Sequence, residues 1–304
     1  MGDTALTTPA LALLQAARPD LRLFVAVERP WDELLDASPD LAGVIALDPG
    51  AGRMRAIAAV RRRRPELCLN LHGGPSSAWI TALSGARWRA GFAHFAHRAV
   101  YNVRLPRAQE ILGRATDAPV HTAEHLASAI FYLGVEHSAI PPARLFGGGT
   151  PPEGLRRPYA VLHVAAAFPA KQWPIDRFAD LARWLERDRG LRPVLLTGPG
   201  QGQLLDRAKN FRGFDNLSVR EMMALLKGAD LFVGNDSGPA HVAAAFGVPC
   251  VVIFGPSDFE VWRPWRTRHQ IVPAPFGQID QVEVEGVRQA VAGVLATADA
   301  VRHG

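Results

Sequence analysis

The sequence predicts an α/β protein, and three observations carry that prediction. Short apolar, β-branched runs alternate along the chain with helical patterns long enough to cross back over a sheet. One run, 231–234, is nearly all apolar, as a strand buried on both faces of a parallel sheet should be. Segment 146–158, FGGGTPPEGLRRP, packs four glycines and three prolines into 13 residues and divides the chain almost in half. Such clusters mark loops and domain boundaries.

Taken in order, the elements support two doubly wound domains. In the first half, strands are expected at 21–27, 43–47 and 67–71, and helices at 9–17, 52–63, 76–83 and 122–133. In the second half, strands are expected at 160–164, 193–197, 231–234 and 250–254. The helices between and around them fall at 176–188, 203–210, 219–227 and 239–246. Residues 1–147 then form one domain, 148–158 the linker and 159–304 the second domain, with ligands held at the carboxyl ends of the strands. Met1–Pro9, MGDTALTTP, reads as the loop after a strand running into a helix start at Pro9, yet no strand comes before it. The expectation is of a first domain that lacks its first strand, through a misplaced start or a truncation.

Composition narrows the function. At 304 residues, 48% hydrophobic and 21% charged, the chain has the make-up of an ordinary globular protein. Two cysteines, Cys68 and Cys250, are too few for a disulfide framework or a structural zinc site, so a reducing compartment is expected. No run approaches the roughly 20 apolar residues of a membrane span, and no signal-peptide pattern opens the sequence. Net charge is +5, spread evenly: 16 basic and 13 acidic residues in 1–150, 18 and 16 in 151–304. Neither half is a polybasic arm, which argues against nucleic acid as a partner. Mild basicity suits anionic small molecules or an anionic membrane surface. Among 34 basic residues the lysines are Lys171, Lys209 and Lys227 alone, which draws the eye to each.

Three stretches carry chemistry. In GNDSGPAHVAAAFGVP, 234–249, an apolar strand meets a tight turn and Pro239 opens a helix. A helix start of this kind offers free N–H groups and a positive dipole end to a phosphate, with His241 one turn in. Asp236 and Ser237 could equally serve only as caps, and His241 only as packing. In HVAAAFPAKQWPIDRFADLARWLE, 163–186, Lys171 sits on a strand-to-helix loop, where it would face the ligand crevice of a parallel sheet or remain a solvated lysine. Asp3, in GDTALTTP, is a carboxylate placed at a strand end to act as a general base, or else an N-cap. The phosphate-loop pattern, the dinucleotide fingerprint, the G-x-S-x-G elbow and D-x-D are all missing. His94 and His97 have no cysteine or carboxylate beside them to complete a metal site. Arg61–Arg64 suits an acidic acceptor or a solvated helix end.

In this order the motifs resemble glycosyltransferase family 9, the heptosyltransferases of lipopolysaccharide core assembly. The likeness rests on 2–9, 69–92 (LNLHGGPSSAWITALSGARWRAGF), 124–135, 163–182 and 216–256, and so covers nearly the whole chain. It implies a GT-B fold: two Rossmann-like domains facing a central cleft, the first binding acceptor and the second nucleotide sugar. It implies inverting, metal-independent transfer of a heptose from ADP-heptose to a lipopolysaccharide core or related acidic glycolipid, without a cofactor. The setting is the cytoplasm, with peripheral contact to the cytoplasmic face of the inner membrane.

By that resemblance Asp3 matches the catalytic base and Lys171 the diphosphate-binding lysine. Asp236, Ser237, Gly238 and His241 match the donor-binding turn, and Leu217 falls where the nucleobase pocket is expected. His72, Gly73 and Ser76 lie in the loop near the acceptor. Two hydroxyl residues expected before the lysine are here Ala166 and Ala167, and an acidic residue expected after Thr197-Gly198 is replaced within 199–203. Those departures leave a second reading open, a degenerate relative that binds nucleotide sugars without transferring them. An epimerase or dehydrogenase is disfavoured by the missing dinucleotide fingerprint.

Overall fold

A computed structural model describes residues 1–302. They divide between two units: 7–141, and 1–6 together with 142–302.

The chain opens in helix α1 (Gly2–Ala17), which starts seven residues earlier than the sequence suggests and carries Pro9 inside it. Residues 1–9 are therefore no loop, and Asp3 stands in the first turn of a helix rather than at a strand end. Gly2, the threonines and Pro9 are poor helix formers, and burial of Ala5, Leu6, Thr8 and Ala10 overrides them.

The first unit continues with β1 (Phe24–Glu28), β2 (Gly43–Leu47), α2 (Arg53–Arg61), β3 (Leu67–Asn70), α3 (Pro75–Ala82), β4 (Trp88–Phe92), β5 (Val103–Leu105), α4 (Ala108–Ile111) and α5 (Thr122–Tyr132). All strand pairs are parallel, but they form two separate ladders, β1–β2 and β3–β4–β5. A doubly wound sheet is built outward in both directions from its first strand. In that order a first strand would pair with both β1 and β3, each of which here has a single strand partner.

The second unit holds β6 (Tyr159–His163), α6 (Ile175–Arg189), β7 (Arg192–Leu196), α7 (Gln203–Asp206), β8 (Arg212–Phe214), α8 (Val219–Lys227), β9 (Leu231–Asn235), α9 (Gly238–Ala245), β10 (Cys250–Phe254), α10 (Phe259–Trp262), β11 (His269–Pro273) and α11 (Val284–Arg302). Its strands make one parallel sheet in the order β11-β10-β9-β6-β7-β8. Every residue of β6, β9 and β10 is buried. Helix α6 turns Phe178, Leu181, Ala182 and Leu185 inward at helical spacing and stops at Gly190, whose φ of 63° is the left-handed conformation glycine adopts freely. Helix α8 begins with a capping box: Glu221 N–H donates to Ser218 Oγ (3.3 Å), and Ser218 N–H to Glu221 Oε2 (2.9 Å). The glycine-rich segment is tied to α8, where Gly149 N–H donates to Arg220 O at 2.9 Å.

Strands β4, β5, β8 and β11 and helix α11 have no counterpart among the expected elements. The strands are short or broken by Arg, Gly, His and Gln, so they show no apolar run. Helix α11 contains Gly286 and Gly293, and its order comes from Val287, Val291 and Val294 packing into the core of the unit.

Candidate functional site

Strand order places the site. The sequence runs from β6 outward to β7 and β8, then returns to β9 on the other side, so β6 and β9 flank the switch point where doubly wound sheets bind ligands. The loops leaving those two strands line a crevice of about 370 Å³.

From the β6 side come His163, Ala166, Ala167, Phe168 and Lys171; from the β9 side come Asp236, Ser237, Gly238 and His241. Lys171 Nζ donates to Asp236 Oδ2 at 2.9 Å, and the Asp236 side chain is only 8% exposed. The lysine is thus held at the start of α9 and not left to solvent. Gly2 and Asp3 line the same crevice because the first residues of α1 lie against α9. A Cβ at Gly2 would fall 2.9 Å from Cδ2 of the buried His241 ring, and one at Gly238 would fall 2.8 Å from Met1 Sδ, which would have to shift to admit it. Asp3 itself is exposed.

Neither Asp236 nor Ser237 acts as a side-chain cap of α9. Ser237 is the N-cap residue and makes no side-chain bond to its helix. Its Oγ instead lies 3.0 Å from Asn235 O and 3.0 Å from His163 Nδ1. His163 has its pKa pushed down to about 4 by burial, so its ring is neutral at pH 7.

Asn235, fully buried at the end of β9, ties the two loops together. Its Oδ1 accepts from Trp173 N–H (2.9 Å) and its Nδ2 donates to Ala165 O (3.1 Å). Trp173 is in turn anchored by its indole N–H on Val282 O at 2.8 Å. These bonds set where the loop carrying Lys171 runs. Gln201, from the segment where the resemblance expected an acid, donates to Ala166 O at 3.0 Å and also lines the crevice. Asn235 and His163 lie inside the two motifs, and Gln201 inside the segment 199–203, yet the sequence assigns none of them a role. Nothing local singles them out, since their partners are distant in sequence.

Leu217 is half-buried just before α8 and is not part of the crevice lining. His72, Gly73 and Ser76 belong to the other unit, the first two on the loop from β3 to α3 and Ser76 in the first turn of α3. There Asn70 Oδ1 accepts from His72 N–H and Gly73 N–H, both at 3.0 Å, while its Nδ2 donates to Tyr101 Oη at 2.8 Å. Gly73 has a φ of 76°, and a Cβ there would fall 2.7 Å from the Phe95 ring. His72 is exposed on this fixed loop, and Ser76 is exposed in the first turn of α3.

The same unit holds a second cleft of about 430 Å³ at the carboxyl ends of β1 and β2. Arg29, Arg55 and Arg62 line it with Asp48 and several alanines. Among the described residues no three histidine, cysteine or carboxylate side chains gather as a metal site would require.

Fold and crevice define the class: a doubly wound α/β protein whose ligand crevice presents an amine and a helix N-terminus. The family model of glycosyltransferase family 9 (heptosyltransferase) matches residues 53–289, and the chain belongs to that family. It is 26% identical over 300 residues to lipopolysaccharide heptosyltransferase 3 of Escherichia coli, spanning 87% of this chain and 82% of that protein. It is 27% identical over 280 residues to lipopolysaccharide heptosyltransferase 1 of Pseudomonas aeruginosa, spanning 85% and 77%. Among solved structures, a family 9 glycosyltransferase from Veillonella parvula superposes with a TM-score of 0.83 at 20% identity, covering 97% of this chain and 94% of that one. The E. coli heptosyltransferase WaaC with ADP gives 0.79 at 20% identity, covering 97% of both. The fold is GT-B, and the protein is a glycosyltransferase.

Proposed function

We propose that this enzyme transfers a heptose from ADP-heptose to an acidic glycolipid of the lipopolysaccharide core, inverting the anomeric centre without help from a metal ion. The observation that carries the proposal is Lys171 Nζ held 2.9 Å from Asp236 at the start of α9, in a crevice that Asp3 also lines. The names of the relatives support donor and acceptor: two are lipopolysaccharide heptosyltransferases, and WaaC was solved with ADP.

In this reading the acceptor hydroxyl attacks the anomeric carbon and gives its proton to the Asp3 carboxylate. The bond from that carbon to the diphosphate oxygen breaks, and the nucleoside diphosphate leaves with the electron pair. Negative charge grows on the departing oxygens as the sugar takes on oxocarbenium character. Lys171 and the amides at the start of α9 offset that charge. Asp236 keeps the amine in place before the donor arrives and shares it afterwards. The arginine-lined cleft of the other unit suits the acidic groups of the acceptor.

The reading also sets the protein in the cytoplasm, in peripheral contact with the cytoplasmic face of the inner membrane. No helix among the described residues is long and apolar enough to cross a bilayer. Half-exposed Trp88, with the Arg87 guanidinium 5.1 Å from its ring centre, is of a kind that favours an anionic lipid surface. Sedimentation with anionic but not neutral vesicles checks that contact.

Lys171→Ala tests the core of the proposal. Turnover of ADP-heptose should fall on the order of 10²–10³-fold, the usual cost of removing one preorganised charge-stabilising donor. Near-normal turnover in the folded variant refutes the role. Loss of wild-type activity to a chelator refutes metal independence, and retained anomeric configuration in the product refutes inversion.

A further inference from the structure

The Ser237 hydroxyl is held from two sides, by Asn235 O and by His163 Nδ1, each at 3.0 Å. A carbonyl oxygen only accepts, and a serine hydroxyl has one proton to give. With that proton committed to Asn235, the second bond requires the ring to donate. His163 therefore carries its proton on Nδ1, leaving Nε2 bare. Burial keeps the ring uncharged, and the space it fills depends on Gly234, its register partner across β6 and β9. A Cβ at Gly234 would fall 3.0 Å from His163 Cβ.

This bond changes what α9 offers. An N-cap serine ordinarily turns its oxygen onto an N–H in the first turn of its own helix. Ser237 does not, because its hydroxyl is already engaged behind the turn. Pro239 has no N–H, and Ala240 N–H reaches Ser237 O at 3.1 Å. The amides of Ser237 and Gly238 find no acceptor among the described residues, and both residues line the crevice.

We propose that His163 is a positioning residue for the donor diphosphate: its Nδ1–H fixes the Ser237 hydroxyl and so keeps the Ser237 and Gly238 amides open to phosphate oxygens. The inference rests on the functional reading above for its ligand, but the hydrogen-bond arrangement stands apart from it. Without the ring, Ser237 is free to rotate and cap its own helix, competing with the phosphate.

Titration with ADP across three variants, together with ¹⁵N NMR of the wild-type ring, tests this. His163→Asn places an amide N–H near the position of Nδ1–H, whereas His163→Gln places one near Nε2 and His163→Leu places none. ADP should bind about tenfold more weakly to the Leu and Gln variants, as loss of one well-placed hydrogen bond implies, and the Asn variant should recover most of that loss. The wild-type ring should show its proton on Nδ1. Wild-type affinity in the Leu variant, equal recovery by Gln and Asn, or a proton on Nε2 overturns the proposal. If the variants do not fold, the wild-type spectrum decides. Failure of the wild-type protein to bind ADP defeats the functional reading and the ligand named here, while the ring tautomer still judges the contact.

Discussion

Each unit of this enzyme ends a strand with a buried asparagine that organises the loop after it, and the two asparagines work at different range. Asn70, at the end of β3, accepts from the amides two and three residues ahead, and its longer bond in sequence is to Tyr101. Asn235, at the end of β9, accepts from Trp173 and donates to Ala165, 62 and 70 residues away. The first shapes its own turn. The second joins two loops from neighbouring strands and so builds the crevice. The units differ in the same sense throughout. The second has one six-stranded sheet with three fully buried strands, while the first has ladders of two and three strands. Among the described residues, nine large hydrophobic side chains are left exposed and two of them, Phe168 and Phe276, lie in the second unit, so its core absorbs more of its apolar surface. A binding crevice assembled from distant loops needs that firmer base.

The largest effect that could break this comparison is Asn235→Leu. It leaves Trp173 N–H and Ala165 C=O buried without partners, at about 1–3 kcal/mol each. Thermal unfolding should shift down by several degrees, and turnover should fall with it as Lys171 loses its footing. Asn70→Leu should cost less, since the two amides it frees are only partly buried and the Tyr101 hydroxyl it also frees can still turn its own proton to another acceptor. Equal losses from the two variants would end the distinction drawn here.

A second, smaller effect probes the arginine cleft of the first unit. Arg29, Arg55 and Arg62 make no side-chain hydrogen bond or ion pair among the described residues, so their removal should barely move the melting temperature. The combined alanine variant should raise the KM for acceptor about tenfold, as loss of charge-assisted contacts implies, and leave that for donor alone. A change in donor KM instead would place the arginines in the wrong half of the reaction.

A graded effect, small at any one pH step, is a pH dependence that both units share. His163 and His125 each have their pKa lowered from 6.5 to about 4 by burial, His125 with help from neighbouring His94. A folded-state pKa below the unfolded one means the unfolded chain binds more protons between those values. Stability from these groups is therefore complete above about pH 6.5 and is lost as pH falls toward 4. The loss is on the order of 1 kcal/mol per pH unit for each ring. Unfolding midpoints measured across that range should fall, and His163→Asn should remove the share of the second unit. A flat profile would mean that neither ring is buried neutral.

The fold was legible where the signal is local. Residues 43–47, 219–227 and 250–254 were placed with the bounds they have in the structure, because continuous apolar runs and a capping box are local signals. Strands β4 and β8 were not, because Gly91 and Gly213 interrupt their patterns. Each glycine is there for a packed neighbour: a Cβ at 91 would meet the Tyr101 ring at 2.6 Å, and one at 213 would meet Leu205 at 2.9 Å. The helical start at Gly2 was missed for a related reason, since its order comes from burial against other elements.

The sequence by itself determined the α/β class, the family and the residue types able to grip a diphosphate, because strand–turn–helix motifs are written in consecutive residues. Only the tertiary structure decided that Lys171 meets Asp236, that Ser237 turns to His163 instead of capping α9, and that Asp3 reaches the crevice from a helix. Each of those contacts joins residues more than sixty positions apart, and their meeting is set by strand order and packing.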